Sequence, residues 1–323
     1  MFEFSLHEHW WIILVLMAQL VWATGNFIDG YLLRRYRIAD SESAVGTLLI
    51  VSSLFGFVVA IFISLLATVL PIFSYSGDTS LIIDNGWIWI ALIVGVLEIA
   101  WLLPYFYALD KSSEIQVAPL FQFVPIIGVF LALIFFSEIV TLAQIAAIGF
   151  IVLGAVVLNR NDLTKKINNK VIGSMIVTSI LISVAAFLFK DVASASNFWA
   201  ATFWMCIGMG LSGILIYATI PTYRKQFHTF MKKRDTTGLC INGINEVVDN
   251  SAIILFNAAI VLGPSVPVVQ ATIAYQPIFT LLIGWLLSVS VIGSYYYRTT
   301  ENHFYYNMIG VLIIVFGSVL LFV

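Results

Sequence analysis

Long, continuous apolar runs recur from one end of the chain to the other, and they restrict its fold more than any other feature of the sequence. An α-helix needs about 20 apolar residues to cross the hydrocarbon core of a bilayer. The strands of a membrane barrel would instead alternate apolar and polar residues over segments of about ten. We therefore predict an all-α polytopic membrane protein with about ten transmembrane helices. The predicted spans are 10–33, 43–70, 87–108, 115–136, 141–158, 171–190, 199–220, 239–262, 266–288 and 305–323.

The composition excludes a soluble protein. Charged residues make up 10% of the 323-residue chain and hydrophobic residues 61%, whereas roughly a quarter of an ordinary soluble domain is charged. The formal net charge of −2 and the scattering of the basic residues between apolar runs give no indication of nucleic-acid binding. Cys206 and Cys240 are too few for a disulfide framework, and their place in or beside apolar runs predicts buried structural thiols.

The two halves of the chain correspond to each other. Aligning Pro125 with Pro277 brings two proline-led helices into register and sets Glu98 opposite Asn250. The last spans of the halves also correspond, which pairs Gln144 with Asn307 and Gly154 with Gly317.

Each half contains five predicted spans, so the second half would cross the membrane in the opposite sense to the first. We predict one five-helix repeat in residues 1–158, a connecting loop in 159–170 and a second five-helix repeat in 171–323. Inverted repeats of this kind are typical of secondary transporters, because rocking one half against the other exposes a central site to each side in turn.

Several segments resemble one transporter family. The stretch PIIGVFLALIFFSEIVTLAQIAAIGFIVLGAVVL contains a proline-led helix, an acidic step, a glutamine and a glycine-rich last span. It resembles the EamA-type half-repeat of the drug/metabolite transporter superfamily. The stretch VWATGNFIDGYLL, with Trp22, Gly25, Asn26 and Phe27, is similar to the first helix of that family.

The resemblance extends over essentially the whole chain, since QPIFTLLIGWLL resembles the proline-led helix of the family's second copy. It implies a ten-helix transporter fold and implies almost nothing about the substrate. One departure is clear: Glu138 follows the first proline-led helix, but no acid follows Leu287 in the second half.

The basic residues predict the orientation. Of the 15 Lys and Arg residues, Lys190 alone falls on the side of the amino-terminal tail and every second connection, and the other 14 fall on the opposite side. Cytoplasmic loops retain Lys and Arg, so this distribution places both termini outside the cytoplasm. The family resemblance implies the reverse orientation, and we follow the charge distribution.

Polar and ionisable side chains recur inside three of the apolar runs. Glu98 lies near the middle of the third run. A charged side chain at this depth is costly, so each such group is a candidate functional residue. The eighth run carries a stripe at helical spacing, formed by Asn242, Glu246, Asp249, Asn250, Ile253 and Asn257. The first run carries a second stripe, formed by Gln19, Trp22, Asn26 and Asp29.

We predict that these three helices face one polar cavity that binds the substrate. Low dielectric disfavours a charged carboxyl, and two neighbouring acids repel unless a proton or cation lies between them. Glu98, Glu246 and Asp249 are therefore also predicted to carry a coupling proton. No catalytic residue and no metal ligand is predicted. The candidate substrate-binding residues are Trp22, Asn26, Glu98, Trp101, Tyr105, Glu246, Asp249, Asn250, Tyr275 and Gln276.

Structural roles remain open for some of these polar residues. Asp29 precedes Arg34 and Arg35, and a plain salt bridge is an equal alternative for it. Lys190 is expected to extend its amine to the interface from a helix end. Amides between membrane helices often serve only as interhelical hydrogen-bond partners, and this alternative applies to Asn242, Asn257, Gln144 and Asn307.

The sequence thus predicts a secondary active transporter that moves a small metabolite or drug-like solute by alternating access. The surplus of buried acids favours a cationic or amine-bearing solute, proton coupling, or both. A multipass enzyme acting on a lipid-linked substrate is the main alternative, but the His residues fall in tails or in connections such as 222–238, without metal-ligand spacing. A channel or scaffold is a further alternative, and acids concentrated on a few helices do not favour either.

No phosphate-binding Walker sequence is present, so we expect no direct use of ATP, and no cofactor is predicted. Ten spans already enclose a site, so we expect a monomer with the bilayer, the solute and protons as its partners. The expected location is the inner membrane of a bacterium.

Overall fold

Most of the residues that the computed structural model describes are helical, and the described residues are 10–36, 45–69, 81–112, 117–136, 138–158, 168–233, 235–289 and 304–320. No strand occurs among them. The helices are α1 Trp10–Tyr36, α2 Val45–Val69, α3 Asn85–Ala100, α4 Leu102–Lys111, α5 Phe123–Leu131, α6 Leu142–Leu158, α7 Asn169–Ala195, α8 Phe198–Thr219, α9 Pro221–Lys232, α10 Thr236–Leu262, α11 Val266–Ala271, α12 Gln276–Val289 and α13 Phe304–Leu320.

Seven helical segments of the described chain are long and apolar enough to cross a membrane, which confirms an all-α, multi-pass membrane protein. Two shorter apolar helices, Leu142–Val157 and Ile309–Leu320, lie in the fifth and last predicted runs. Helix is present in each of the ten predicted runs. The segments of spanning length are Trp10–Arg35, Val45–Ala67, Asn85–Lys111, Ala118–Phe136, Asn169–Ala195, Phe198–Thr219 and Thr236–Leu262.

The proline-led helices of the two halves begin in the same way. A tight 3-10 turn, Ala118–Gln122, precedes α5, and a second one, Thr272–Tyr275, precedes α12. Pro125 and Pro277 lie in the first turn of the helix that follows each of them. Proline lacks the backbone N–H, which has no partner at that position, so the helix starts there without losing a hydrogen bond.

The connection 222–238 and the cysteines differ in part from what the sequence led us to expect. Residues 222–238 connect two spans as expected, but α9 occupies Pro221–Lys232 of this connection, because its aromatic side chains give it an apolar face to bury. His228 therefore lies on a helix, while His7, His9 and His303 lie outside the described residues. Cys206 is buried as expected, whereas Cys240 is exposed.

Close backbone contacts through glycine join α8 to α2 and α3. A Cβ atom at Gly95 on α3 would lie 2.0 Å from the carbonyl oxygen of Met205 on α8, and one at Gly56 on α2 would lie 2.6 Å from that of Cys206. From the other side, a Cβ at Gly208 would lie 2.3 Å from the carbonyl oxygen of Leu92. In lipid, small residues stabilise a helix pair by letting the backbones approach. These three helices therefore form one tightly packed unit that contains parts of both halves.

The last helices of the two halves, α6 and α13, pack on each other reciprocally. A Cβ at Gly154 would meet the carbonyl oxygen of Gly310 and the side chain of Ile314 at 2.8 Å. A Cβ at Gly317 would meet the carbonyl oxygen of Ala147 at 2.9 Å and the side chain of Ile151 at 2.8 Å. Gly154 and Gly317 are the residues that the sequence alignment pairs, and their contacts correspond position by position. This is the pattern that two copies related by a twofold axis produce.

Two ion pairs join the halves at opposite ends of α10, which is about 40 Å long. At its beginning, the Arg35 guanidinium donates two hydrogen bonds, of 2.7 and 2.8 Å, to the Asp235 carboxylate. These bonds and one from the Gly238 N–H lower the pKa of Asp235 to about 2, so this pair stays ionised at any physiological pH. Arg35 thus pairs with Asp235, whereas the sequence had left a salt bridge between Asp29 and Arg34 or Arg35 as an equal alternative.

Beyond the other end of α10, Lys190 Nζ lies 2.6 Å from Glu138 Oε1, and Glu138 Oε2 accepts a hydrogen bond of 2.8 Å from the backbone N–H of Val266. Lys190 was expected to extend to the interface at a helix end. It is instead held by Glu138 of the other half, and α7 continues beyond it to Ala195. Glu138 therefore connects α7 and the start of α11 to the end of the first half's proline-led segment.

Candidate functional site

A cavity of about 70 Å³ lies in the middle of the bundle, with room for several water molecules. Its walls come from both halves, because side chains of α1, α2, α3, α4, α7, α8, α10 and α12 all reach it. Nine of the ten predicted substrate-binding residues line it, namely Trp22, Asn26, Glu98, Trp101, Tyr105, Glu246, Asp249, Asn250 and Gln276. The structure thus brings the first, third and eighth predicted runs to a single cavity.

Two aspartates of different halves share one amide at the polar end of this cavity. Asn245 Nδ2 donates hydrogen bonds of 2.8 Å to Asp29 Oδ1 and of 3.1 Å to Asp249 Oδ2. The two carboxyl oxygens are therefore within about 6 Å of each other. The hydroxyl of Tyr105 adds bonds of 3.1 Å to Asp29 Oδ2 and of 2.9 Å to Asn26 Oδ1. This network connects α1, α4 and α10.

Gly25 allows α1 and α10 to bring these carboxyls together. A Cβ atom at this position would lie 2.4 Å from Asp249 Oδ1, so any larger residue would displace the carboxyl. One residue later, Asn26 points its amide oxygen into the network, and Trp22 lies one turn before it on the cavity wall. The three residues of the VWATGNF motif therefore act on the same cavity.

Glu246 is the most deeply buried of the cavity acids, with 2% of its surface exposed. Its Oε1 accepts a hydrogen bond of 2.5 Å from the hydroxyl of Ser52 on α2. The amide of Asn250, one turn later, donates to the backbone carbonyl of Glu246 at 2.8 Å. Glu246 and Asp249 are three residues apart on α10, so a third carboxyl joins the pair described above.

Glu98 reaches the cavity from α3, where its Oε2 accepts a hydrogen bond of 2.9 Å from Trp101 Nε1. Aromatic rings form much of the remaining wall. Trp101 packs on Tyr105 with ring centroids 5.7 Å apart, and Trp22 packs on Phe256 at 5.1 Å. Faces of such rings attract cations.

One predicted residue does not reach the cavity. Tyr275 belongs to the 3-10 turn before α12, where its hydroxyl donates to Ser318 on α13 and its ring packs beside the small apolar cluster of α6 and α13. Its neighbour Gln276 does line the cavity. Successive residues of a tight turn point in different directions, so only one of these two neighbours faces inward.

Three other amides of the two sequence stripes differ in where they lie. Asn257 lines the cavity, but Asn242 and Gln19 are buried away from it, and their amides have no hydrogen-bond partner among the described residues. Conversely, Ser52 and Asn245 were not predicted. Asn245 could have been found, because it lies one turn before Asp249 on the same helix face. Ser52 lies in a run that looks wholly apolar and gave no such indication.

The charge of the cavity is one-sided. Its wall carries the carboxyls of Asp29, Glu98, Glu246 and Asp249, and no Lys, Arg or His of the described chain reaches it. Within the described ranges, no three His, Cys, Asp or Glu side chains are placed to hold a metal ion. The arrangement can therefore bind protons or an organic cation against carboxyls and aromatic faces.

Comparison with known proteins gives a family and a fold. A solved crystal structure, described only as that of a protein, is similar with a TM-score of 0.61 over 96% of each chain. The two sequences are 15% identical, so the likeness concerns the fold alone. No curated protein matches the chain. Residues 9–160 match the model of the EamA-like transporter family. This match confirms the resemblance found in the sequence: residues 9–160 are similar to the EamA-like transporter family, which is part of the drug/metabolite transporter superfamily.

Proposed function

We propose that the protein is a secondary active transporter that moves a small organic cation or amine across the membrane by alternating access, in exchange for or together with protons. The observation that supports this most is the cluster of Asp29, Glu246 and Asp249 in a cavity that no basic side chain of the described residues lines. The matching family indicates transport, and the acidic lining of the cavity indicates a preference for cations.

The short distance between Asp29 and Asp249 supports a site at which a proton or a cation binds and leaves again. Two unit charges about 6 Å apart repel by roughly 3 kcal/mol at an effective dielectric constant of about 20. A second carboxylate nearby, that of Glu246, adds to this cost. The single amide of Asn245 is neutral and offsets only a part of it. A proton or a bound cation removes the repulsion, and the two would therefore compete for the same carboxyls.

Ten spans in two inverted five-helix repeats, residues 1–158 and 171–323, form the architecture that we propose. The reciprocal contacts of Gly154 and Gly317 support it, as do the matching 3-10 turns before α5 and α12. Packing across the halves also corresponds: α1 packs on α10 and α12 of the second half, and α7 packs on α3, α4 and α5 of the first.

Alternating access requires contacts that close the cavity at one end and can break at the other. The Arg35–Asp235 pair and the Glu138–Lys190 pair join the halves at opposite ends of α10, and both are partly exposed. Opening at either end would cost one ion pair and gain hydration for its charges. We therefore propose that these two pairs close the two ends of the pathway.

The buried amides support a pathway that becomes hydrated towards the Glu138 end. Gln19 and Gln270 are fully buried, and their side-chain nitrogen and oxygen atoms have no hydrogen-bond partner among the described residues. Ser265, next to Val266, is in the same situation. An unpaired buried polar group costs about 1–3 kcal/mol, which water would recover if this end opened.

The remaining features of the proposal follow from the charge distribution and the span count. Both termini would lie outside the cytoplasm, the protein would act as a monomer, and its membrane would be the inner membrane of a bacterium. An enzyme acting on a lipid-linked substrate is not favoured, because the family that the first half of the chain matches is a transporter family.

Transport in proteoliposomes tests the proposal. The purified protein is screened for thermal stabilisation by a panel of amines, cations, neutral solutes and anions, and the best solute is then used for uptake between about pH 5 and pH 8. Glu246→Gln and Glu98→Gln keep size and hydrogen bonding and remove the titrating group. We expect at least one of them to abolish the pH dependence of transport while the protein stays folded.

The matched control is Asn257→Ala, a change at a cavity amide that carries no charge, and it should affect transport much less. Normal transport by both Gln variants across this pH range would show that the acids are structural. Stabilisation by anions in preference to cations would refute the proposed class of solute.

A further inference from the structure

The helix α9 differs from the other helices of the bundle in its charge. It connects α8 to α10 and begins at Pro221, directly after the end of a spanning segment. The sequence from Thr219 to Arg234 contains Arg224, Lys225, Lys232, Lys233 and Arg234 and no acidic residue. No other stretch of similar length in the chain has five basic residues without an acid.

One face of α9 fixes it to the end of the bundle. The ring of Tyr223 lies against α2, where a Cβ at Gly46 would be 2.5 Å from it, and the Gly46 N–H donates to Gln226 Oε1 at 3.0 Å. Phe230 is buried with 3% of its surface exposed, and Phe227 packs on Tyr217 of α8 with centroids 6.1 Å apart. The helix is therefore held beside the ends of α2 and α8, two segments of membrane-spanning length.

The opposite face presents free cations. Arg224, Lys225 and Lys232 are exposed, and no acidic side chain of the described chain forms an ion pair with any of them. Met231 lies beside them with 44% of its surface exposed. Basic residues combined with an apolar side chain on the outer face of an interfacial helix are typical of membrane-surface binding.

The placement of two of these charges is unfavourable for the helix itself. Arg224 and Lys225 lie in the first turns of α9, where the helix dipole is positive and acidic residues are preferred. Setting the orientation in the membrane requires only that Lys and Arg are present in the connection, at any position. A negative partner outside the protein would offset both the repulsion between these charges and the dipole.

We propose that the exposed face of α9 binds the headgroups of anionic phospholipids in the leaflet that surrounds this end of the bundle. Arg224, Lys225 and Lys232 contact the phosphates, and the face with Tyr223 and Phe230 keeps the helix parallel to the membrane surface. Lipid bound here would hold α9 against α2 and α8, and thus stabilise the end of the bundle where Arg35 and Asp235 meet.

Lipid titration of the purified full-length protein tests this inference. The protein in detergent receives phosphatidylglycerol or phosphatidylcholine, and bound lipid is counted by native mass spectrometry while thermal unfolding is followed in parallel. The wild type should retain phosphatidylglycerol in preference to phosphatidylcholine and should gain stability from it alone. Inorganic phosphate at the same concentration should not replace the lipid.

The decisive variant is R224Q/K225Q/K232Q. About 1 kcal/mol per basic residue near a charged membrane surface corresponds to roughly fivefold in affinity, so three changes should weaken phosphatidylglycerol binding on the order of 100-fold. The matched control R224K/K225R/K232R keeps all three charges and should bind as the wild type does.

Equal retention of phosphatidylglycerol by the neutral variant and the control would overturn the inference, and so would equal stabilisation by inorganic phosphate. If the triple variant does not fold, the single changes Arg224→Gln and Lys225→Gln decide the matter. Each should then weaken binding about fivefold, and an unchanged affinity in both would refute the proposal.

Discussion

The carboxyl pair formed by Asp29 and Asp249 allows a prediction about stability. Removing one of these two charges should make the protein more stable, whereas removing a charge from a structural salt bridge would make it less stable. Asp249→Asn keeps the shape of the side chain and an oxygen that can accept the hydrogen bond from Asn245. It removes one of two charges whose oxygens lie within about 6 Å. At an effective dielectric constant of about 20, this relieves roughly 3 kcal/mol of repulsion when both carboxyls are ionised. The variant should therefore be more stable than the wild type when no solute is bound.

The assay is thermal unfolding of purified protein in detergent, without and with the solute that stabilises the wild type most. The gain in the variant should be larger at about pH 8 than at about pH 5, because a proton can already neutralise the pair at the lower pH. Stabilisation by a cationic solute should be reduced or lost, because the variant retains one charge fewer to bind it. Stability is thus gained where function is lost, as is common for residues of a binding site.

Asn26→Ala provides the comparison, because it removes a neutral partner of Tyr105 in the same network and changes no charge. It should lower the unfolding temperature at both pH values. A loss of stability in Asp249→Asn, with stabilisation by cations unchanged, would refute the idea that the two carboxyls repel each other in the empty cavity.

Three further predictions concern the rest of the bundle. Glu138→Gln should weaken the ion pair with Lys190. A cysteine introduced as Ser265→Cys should then react with a water-soluble maleimide about fivefold faster, which corresponds to a free-energy change of roughly 1 kcal/mol. An unchanged rate would show that this ion pair does not close its end of the pathway. Gly95→Ala should largely prevent recovery of folded protein in size-exclusion chromatography, since overpacking costs about 1–3 kcal/mol or more, whereas Gly243→Ala, whose Cβ meets nothing within 4 Å, should be tolerated. A topology reporter fused after Val323 should be active outside the cytoplasm, and activity inside would support the orientation usual for the family instead.

The polar residues of the cavity were largely predictable because membrane sequences expose them. A carboxyl such as Glu98 or Glu246 inside an apolar run costs so much that it predicts a function by its presence alone. Helical spacing then places Asp249 and Asn250 on the same face as Glu246. The family motif with Trp22 and Asn26 added the first helix, and the structure brings all of these side chains to one cavity.

The contacts that close the bundle could not be predicted in the same way. Lys190 was expected at a helix end because it and Asp191 form a charged step in an apolar run, yet its partner Glu138 lies 52 residues away in the chain. The partner of Arg35 was equally hard to predict, because Asp235 is 200 residues away whereas Asp29 lies much closer in the sequence. Tyr275 does not line the cavity for a local reason, since it belongs to a 3-10 turn and its neighbour Gln276 faces inward instead. Periodicity gives the face of a helix, but the choice between distant partners depends on packing.

The glycine contacts of α8 have a consequence for how the protein is made. When residues 1–158 have left the ribosome, the glycine surfaces of α2 and α3 still face lipid, because α8, which fills them, has not been synthesised. The first helix likewise lacks α10, its main neighbour in the finished bundle. We therefore expect the early helices to be only loosely associated in the membrane at this stage. The carboxyl of Asp29 then lacks the hydrogen bond that Asn245 donates in the finished bundle. Quality-control proteases that recognise unassembled membrane segments would meet the chain at this stage, so the speed with which the second half is inserted should influence how much of the protein reaches its mature form.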